Sequence, residues 1–544
     1  MTAQPQAHAH PPHPIMPATA ACPTRPRRHP LQVLAVPVSH PLALHGAVAT
    51  RMIEAAALAA QPGGALMRRA GHAVAHWALA MTPHARRWWF AIGPGGNGGD
   101  GSFAAARLAR LGLDVSLTVY ADPMRLPQDA ARGLDAARLA GVSIEPGPPA
   151  NLPPDVVVDA LLGIGAARAP EGPVLEGLMA LSRCSVPCLS IDLPTGLDAD
   201  SGRVHGPQTV SAFATLSLLT LKPGLFTGSG RRYAGEIWLE PLGHEAAFDL
   251  SPGAASPSAH LLCASDAQPT WSLRTQDQHK GHFGDAVVVG GAPGMPGAAR
   301  LAAHAALAAG AGRTILIALD PSLPAGDPLR PEVMCRGLGA LEDAAWLAQA
   351  TVVCGCGGGD TIAAVLPKVL RHAQRLVLDA DALNAVARDP ALQQLMRGRS
   401  DAGLDTIMTP HPLEAARLLA CTTADVQSDR LLAAARLAAR FRCTIVLKGS
   451  GTVVSSPDLT PAINPTGGPA LASGGTGDVL AGWIGGLWAQ APRFTASAHR
   501  VAHEAACAAT WRHGHAAERA PGGVPATRAL DLIETMRSPC PPDD

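Results

Sequence analysis

Lysine is almost missing. Four occur, Lys222, Lys280, Lys368 and Lys448, so 39 of the 43 basic residues are arginine. Arginine cannot replace lysine where a compact charge must meet a phosphate or change protonation. Three of the four lie in glycine-rich contexts, "LKPG", "HKGHFGD" and "LKGSGT", whereas Lys368 in "LPKVLRHAQR" reads as a solvated helix face. An excess of one charge is absent too, because 43 acidic residues balance 43 basic ones. That leaves no field to attract nucleic acid or an anionic membrane. No run of about 18–20 strongly apolar residues occurs, so no transmembrane span is expected. The eleven cysteines form no doubled pair and no partnership with a histidine doublet, which argues against zinc. Their odd number, and the lack of a signal-peptide core in the first 30 residues, point to reduced thiols and a cytoplasmic protein. A Walker A sequence is also missing, which removes the P-loop enzymes.

What is present is glycine, in organised places. At 544 residues the chain is too long for one ordinary core, and two or three domains are expected. Residues 1–30, rich in Pro, His and Ala, read as a disordered tail. A Ser/Ala/Pro-rich stretch over 248–271 places a boundary near residue 255, giving domains over 40–245 and 255–535. In the first, a helix begins at "GALMRRAGHAVAHWAL", with Leu66, Met67, Ala70, Val74 and Trp77 on one face. The apolar runs "WWFAIG", "DVSLTVYA", "DVVVDALLG" and "CLSIDLPTG" then alternate with helical patterns, the rhythm of parallel βα units. The second repeats it with "GDAVVVGG", "RTILIAL", "ATVVCGCGGG", "RLVLDADALN", "LDTIMTPHP" and "CTIVLKGSGT". Both domains are expected to be α/β.

The strongest chemical signal is "GGTGD", Gly474–Asp478, opening the apolar helix "VLAGWIGGLW". Glycines before a helix free N–H groups to converge on an anion, and the helix dipole adds positive potential. A carboxylate just inside would repel a stationary phosphate, so Asp478 is expected to accept a proton during phosphoryl transfer. Upstream, Lys448–Thr452 ("KGSGT") follows an apolar strand and could hold nucleotide phosphates; an ordinary hairpin turn is the other reading. In the first domain, "GPGGNGGDG" (93–101) carries the spacing of a dinucleotide fingerprint, with Asp122 as a possible ribose ligand. Asp100, at the helix start, would compete with a pyrophosphate for the same N–H groups. Asn97, Asp159 and Thr195 end neighbouring strands and form an all-oxygen set suited to a hard cation. Alternatively, Asp159 and Asp192 simply cap the loops that follow.

In the second domain, "HKGHFGDAVVVGGAPGMPGAARLAAHAALAAGAG", "LRPEVM", "LVLDADALN", "TPHPLEAARLL" and "INPTGGPALASGGTGDVLAG" resemble the dehydratase part of the bifunctional NAD(P)H-hydrate repair enzymes. "LMRRAG", "GPGGNGGDG", "DALLGIG", "DLPTGLDADSG" and "TLSLLTLKPGLFTG" resemble their epimerase part. The resemblance implies a Rossmann-like three-layer domain followed by a ribokinase-like α/β domain. It implies interconversion of the R and S hydrates NADHX and NADPHX, then nucleotide-dependent dehydration of the S form. ADP with magnesium would be the phosphoryl donor and a potassium ion would sit in the epimerase domain. Carried over by position, Asn97, Asp159 and Thr195 would hold potassium. Gly96, Asn97, Gly98, Gly99, Asp100, Gly163, Ile164, Gly165, Ala166, Ala167, Arg168, Ala169 and Asp192 would contact the hydrate, with Asp192 the acid/base and Lys222 an assistant. In the second domain Ala298, Gly357, Gly359, His411 and Asp478 would face the hydrate, with Asp478 the base. Lys448, Gly449, Ser450, Gly451, Thr452 and Gly477 would face the nucleotide. His411 has the alternative of capping the next helix. The sequence departs from the family at Gly96 for Asn, Thr195 for Ser, "GCGGG" for Gly-Pro-Gly-Leu-Gly and Leu413 for Gly. The family's small-molecule chemistry implies neither nucleic acid nor membrane as partner, and its habit implies a homo-oligomer. A vitamin-precursor kinase fused to a binding domain is the alternative function.

Overall fold

Apolar runs alternating with amphipathic stretches fold into two mainly parallel sheets. The computed structural model describes residues 34–36, 40–61, 63–149, 153–244, 255–323, 326–492, 498–519 and 526–538; the tail expected over 1–30 lies outside them. Every quoted apolar run is a strand. In the first half these are Arg87–Ile92, Asp114–Val119, Val156–Ala160 and Cys188–Ile191. In the second they are Asp285–Gly290, Arg313–Ala318, Thr351–Cys354, Arg375–Leu378, Asp405–Met408 and Thr444–Leu447. Strands buried on both faces need no alternation, which is why they read as continuous Val/Ile/Leu runs.

Both sheets reverse direction of growth once. In the first, Arg87–Ile92 lies between Asp114–Val119 on one side and Val156–Ala160 on the other, all parallel. In the second, Asp285–Gly290 lies between Arg313–Ala318 and Thr351–Cys354, again parallel. At such a switch point the loops leaving the two central strands diverge, opening a crevice at their carboxyl ends. "GPGGNGGDG" and "DALLGIG" flank the first crevice; "GGAPGMPG" and "GCGGG" flank the second.

The helix Thr476–Ala489 runs through the second core, with every residue from Val479 to Ala489 buried. Gly482 and Gly486, one turn apart, let it lie directly on the helix Pro296–Ala308. A Cβ there would stand 2.0 Å from the Ala302 carbonyl oxygen and 2.2 Å from that of Ala306.

One strand escapes the sequence pattern. Leu42–Leu44 lies in the chain between the first-sheet strands Leu34–Ala35 and Arg87–Ile92 but pairs antiparallel with Ala259–Leu261 at the edge of the second sheet. Leu42, Leu44, Leu221, Leu225 and Phe226 share one hydrophobic core with Leu447, Val453 and Ile463. The two halves are therefore packed together through apolar surface.

Candidate active sites

The first crevice is a cavity of about 460 Å³. The turn after Arg87–Ile92 leads into the helix Gly96–Arg110, whose first turn carries Asn97 and whose fifth residue is Asp100. Asp192 leaves the strand Cys188–Ile191 at φ 67, a left-handed conformation that asparagine and aspartate tolerate better than most residues. Its Oδ1 accepts from the Lys222 ammonium, and its Oδ2 accepts from the Ile164 N–H at 3.3 Å. Lys222 is fully buried and also donates to the Leu218 and Thr220 carbonyls at 2.8 and 3.0 Å. It therefore orients Asp192 and does not itself line the cavity. Burial, then the Asp192 and Glu54 charges, holds the Asp100 carboxyl well above the usual range. Glu54 is raised for the same first two reasons, burial and Asp192. The cavity thus contains two protonatable carboxyls beside one ion-paired carboxylate, an arrangement suited to general acid–base chemistry.

Of the expected first-half residues, Gly96, Asn97, Asp100, Gly163, Ile164, Gly165 and Asp192 line the cavity. Gly98 and Gly99 face inward instead: a Cβ on Gly98 would lie 2.3 Å from the Gly93 carbonyl oxygen, and one on Gly99 2.3 Å from Met67 Sδ. Ala166, Ala167, Arg168 and Ala169 are outside the lining. Asp159 is completely buried and accepts from Thr195 Oγ1 at 2.7 Å, Thr195 N–H at 2.8 Å and Ser190 Oγ at 3.0 Å. Burial raises its carboxyl above the usual range, and those hydrogen bonds oppose the rise. Asn97, 8 % exposed, has neither amide atom hydrogen-bonded. Asp122 caps its own turn by accepting from the Met124 N–H at 3.0 Å, as strand-end aspartates do.

The second crevice gathers charge more densely. Asp478 sits in the first turn of its helix behind Gly475, which takes φ 90. Burial and then the charge of Asp379 push its carboxyl up to about 6. Cys356, within "GCGGG", is fully buried and hydrogen-bonded to Asp478, an interaction that pulls this carboxyl back down. Asp379 Oδ1 accepts from Lys448 Nζ at 2.6 Å and from Thr409 Oγ1 at 2.8 Å. Burial works to lower the Lys448 ammonium, but Asp379 and Glu414 overcome it and raise it. Glu414 is buried, which pushes it up to about 7. Asp381 accepts from the Gly359 N–H at 2.8 Å and so fixes the 355–359 loop.

His411 caps the helix Pro412–Leu419. Its Nδ1 accepts from the Leu413 and Glu414 N–H groups at 3.1 and 3.4 Å, and Glu414 Oε2 accepts from the His411 N–H at 2.8 Å. The turn uses the imidazole directly; burial, then Lys448, lowers its basicity. A Cβ on Gly357, at φ 57, would stand 2.9 Å from Ala298 Cβ, so helix and loop meet there.

Beside this charge cluster opens a cavity of about 790 Å³, lined in part by Lys448, Gly449, Ser450, Thr452, Thr476 and Gly477. Gly451 is not in the lining and faces the first half instead. Asp379, Glu414 and Glu54 were not singled out from the sequence, although "LDAD" and "PHPLE" contain the first two. His513 lines the larger cavity from the helix Ala498–Glu518, where no local pattern marks it. It donates from Nε2 to the Thr476 carbonyl at 2.9 Å, and burial pulls it down to about 4.

Fold and sites together define an α/β enzyme with a carboxylate-lined pocket at the switch point of the first sheet and, in the second half, a cluster of buried charge beside a larger cavity. Residues 286–537 match the family model described as NAD(P)H-hydrate dehydratase, and residues 63–224 match that described as YjeF-related protein N-terminus. The chain is 35% identical over 479 residues to the bifunctional NAD(P)H-hydrate repair enzyme of Coxiella burnetii, covering 87% of this chain and 94% of that one. It is 34% identical over 481 residues to that of Escherichia coli, covering 87% and 88%. A solved structure of the ADP/ATP-dependent NAD(P)H-hydrate dehydratase from Bacillus subtilis, co-crystallised with ATP/Mg2+, is 28% identical, with a TM-score of 0.38. It covers 48% of this chain and 91% of that one. The chain belongs to the family of bifunctional NAD(P)H-hydrate repair enzymes. Among the described residues no helix is long and apolar enough to cross a membrane.

Proposed function

We propose that the first half epimerises the R and S hydrates of NADH and NADPH and that the second half dehydrates the S form at the expense of ADP. The observation that carries this reading is Asp478, a carboxyl pushed up to about 6 in the first turn of its helix, next in sequence to Gly477, which lines the larger cavity together with Lys448, Gly449, Ser450 and Thr452. A hydroxyl on the reduced ring leaves poorly, whereas a phosphate ester leaves well. Asp478 accepts the hydroxyl proton as the oxygen takes the terminal phosphoryl group of ADP, releasing AMP. The N–H groups of Gly475–Gly477 stabilise the charge on that group in flight. The ring nitrogen lone pair then expels phosphate, and loss of a proton from the adjacent ring carbon restores the double bond. Lys448, Gly449, Ser450 and Thr452 hold the nucleotide, and Ala298, Gly357, Gly359 and His411 flank the hydrate. Magnesium accompanying the nucleotide would offset the charge of its phosphates.

In the first half, Asp192 acts as acid/base at the carbinolamine hydroxyl, held by Lys222, with Asp100 and Glu54 beside it. A potassium ion fits Asn97, Asp159 and Thr195. The unpartnered amide of Asn97 and the buried carboxyl of Asp159, whose partners among the described residues are hydroxyl and N–H groups, both lack what a hard cation supplies.

Mixed R and S hydrates incubated with the protein and ADP should regain the near-ultraviolet absorbance of reduced nicotinamide completely. No recovery with either ADP or ATP would overturn the reading. Recovery that halts at the S fraction would remove the epimerase.

A further inference from the structure

The walls of the 790 Å³ cavity are not held by the second half alone. Arg231, on the short helix Gly230–Tyr233 of the first half, reaches across the junction. Its Nη2 donates to the Gly467 carbonyl at 2.7 Å and its Nη1 to the Thr466 carbonyl at 3.3 Å. Gly467, at φ 92, gives its own N–H to Glu518 Oε1 at 2.8 Å. One cavity-lining peptide is therefore gripped from both sides, by a first-half guanidinium and a second-half carboxylate.

Four residues upstream the same segment grips the opposite wall. Thr227 Oγ1 donates to the Gly451 carbonyl at 3.2 Å, and the Gly228 N–H to the Ser450 carbonyl at 3.2 Å. A Cβ on Gly451 would stand 2.0 Å from the Phe226 carbonyl oxygen, so the "KGSGT" loop closes on the first half only because that position is glycine. Buried Arg430 donates to Thr227 Oγ1 at 3.2 Å and to the Leu447 carbonyl at 2.9 Å, tying this contact to the end of the strand that Lys448 follows.

Glycine loops at positive φ are soft when free, and a ligand that must order them binds more weakly. A planar fork that spans two adjacent carbonyls removes that freedom beforehand, which a lysine could not do. We propose that the segment 227–231 of the epimerase half is a working part of the dehydratase nucleotide site. Arg231 is a positioning residue for the Thr466–Gly467 wall, and Thr227 for the Ser450–Gly451 loop, against an adenosine diphosphate. The proposal rests on the reading of this cavity as the nucleotide site.

Calorimetric titration of full-length protein with ADP, without hydrate, tests it separately from turnover. Arg231→Ala is expected to weaken ADP binding about tenfold, about 1.4 kcal/mol. It should raise the KM for ADP in proportion, leave kcat within about twofold, and leave epimerisation at the parent rate. Arg231→Lys should recover little of the loss. Equal affinity of Arg231→Ala and the parent protein overturns the proposal. If the parent itself fails to bind ADP, the nucleotide reading falls and this proposal with it. Should Arg231→Ala also lose epimerisation through misfolding, Thr227→Val decides: weaker ADP binding with intact epimerisation supports the proposal, and unchanged affinity overturns it.

Discussion

A carboxyl acting as base must be ionised, and Asp478 is pushed up to about 6 by burial and by Asp379. The dehydration rate should therefore fall as pH drops through about 6, while Asp478→Asn should lose about 10²–10⁴ in kcat and leave epimerisation intact. Stability runs the opposite way. The folded-state value lies above the ordinary 3.8, so the stability contributed by the protonated form is complete below 3.8 and is lost as pH rises through about 6. Asp478→Asn should remove that loss, which thermal unfolding at a series of pH values would show. A dehydration rate that stays flat across this range would mean that another group takes the proton. The role of Asp478 could be argued from "GGTGD" because helix and glycine corner are local. Its environment could not be: Asp379, Cys356 and Lys448 come from three other strand ends, which only the sheet brings together.

The same limit operates on whole elements. "GPGGNGGDG" reads as a strand-to-helix turn, and the helix Gly96–Arg110 follows it. Which glycines serve the ligand and which serve packing is not written in their spacing. Gly96 has only Met67 Cε, at 3.9 Å, near a built Cβ, whereas Gly98 meets the Gly93 carbonyl oxygen at 2.3 Å. Gly98→Ala should then cost about 1–3 kcal/mol through overpacking. Gly96→Ala should stay within about 0.5 kcal/mol of the parent. Denaturant unfolding of the two variants checks the contrast, and equal losses would refute it. His411 teaches a related lesson. Its proline neighbours in "TPHPLE" suggest a rigid site loop, and the structure shows the imidazole also serving as the helix cap.

For the molecule as a whole, the junction joins a shared apolar core to the polar contacts of Thr227, Gly228 and Arg231, and it includes a strand taken from the wrong side of the sequence. Leu44 is fully buried between Leu221 of the first half and the strand Ala259–Leu261 of the second. Leu44→Ala should cost about 2–5 kcal/mol and lower the melting of both halves together. A second half that melts unchanged would show that the strand adds nothing to it. Three residues cannot display a period, so Leu42–Leu44 was unreadable as a strand, whereas six-residue apolar runs such as Asp285–Gly290 were plain.

By itself the sequence determined the two α/β halves, the glycine corner before Asp478, and the oxygen-rich strand ends at Asp159 and Asp192. Each of these depends on a preference acting within a few neighbouring residues: burial of an apolar run, a glycine's free N–H, a carboxylate at a strand end. Tertiary structure alone decided that Lys222 grips Asp192, that Asp379 and Glu414 surround Lys448, and that Arg231 closes a cavity in the other half. Those partners lie tens to hundreds of residues apart, and no local energy relates them until both sheets have formed and packed.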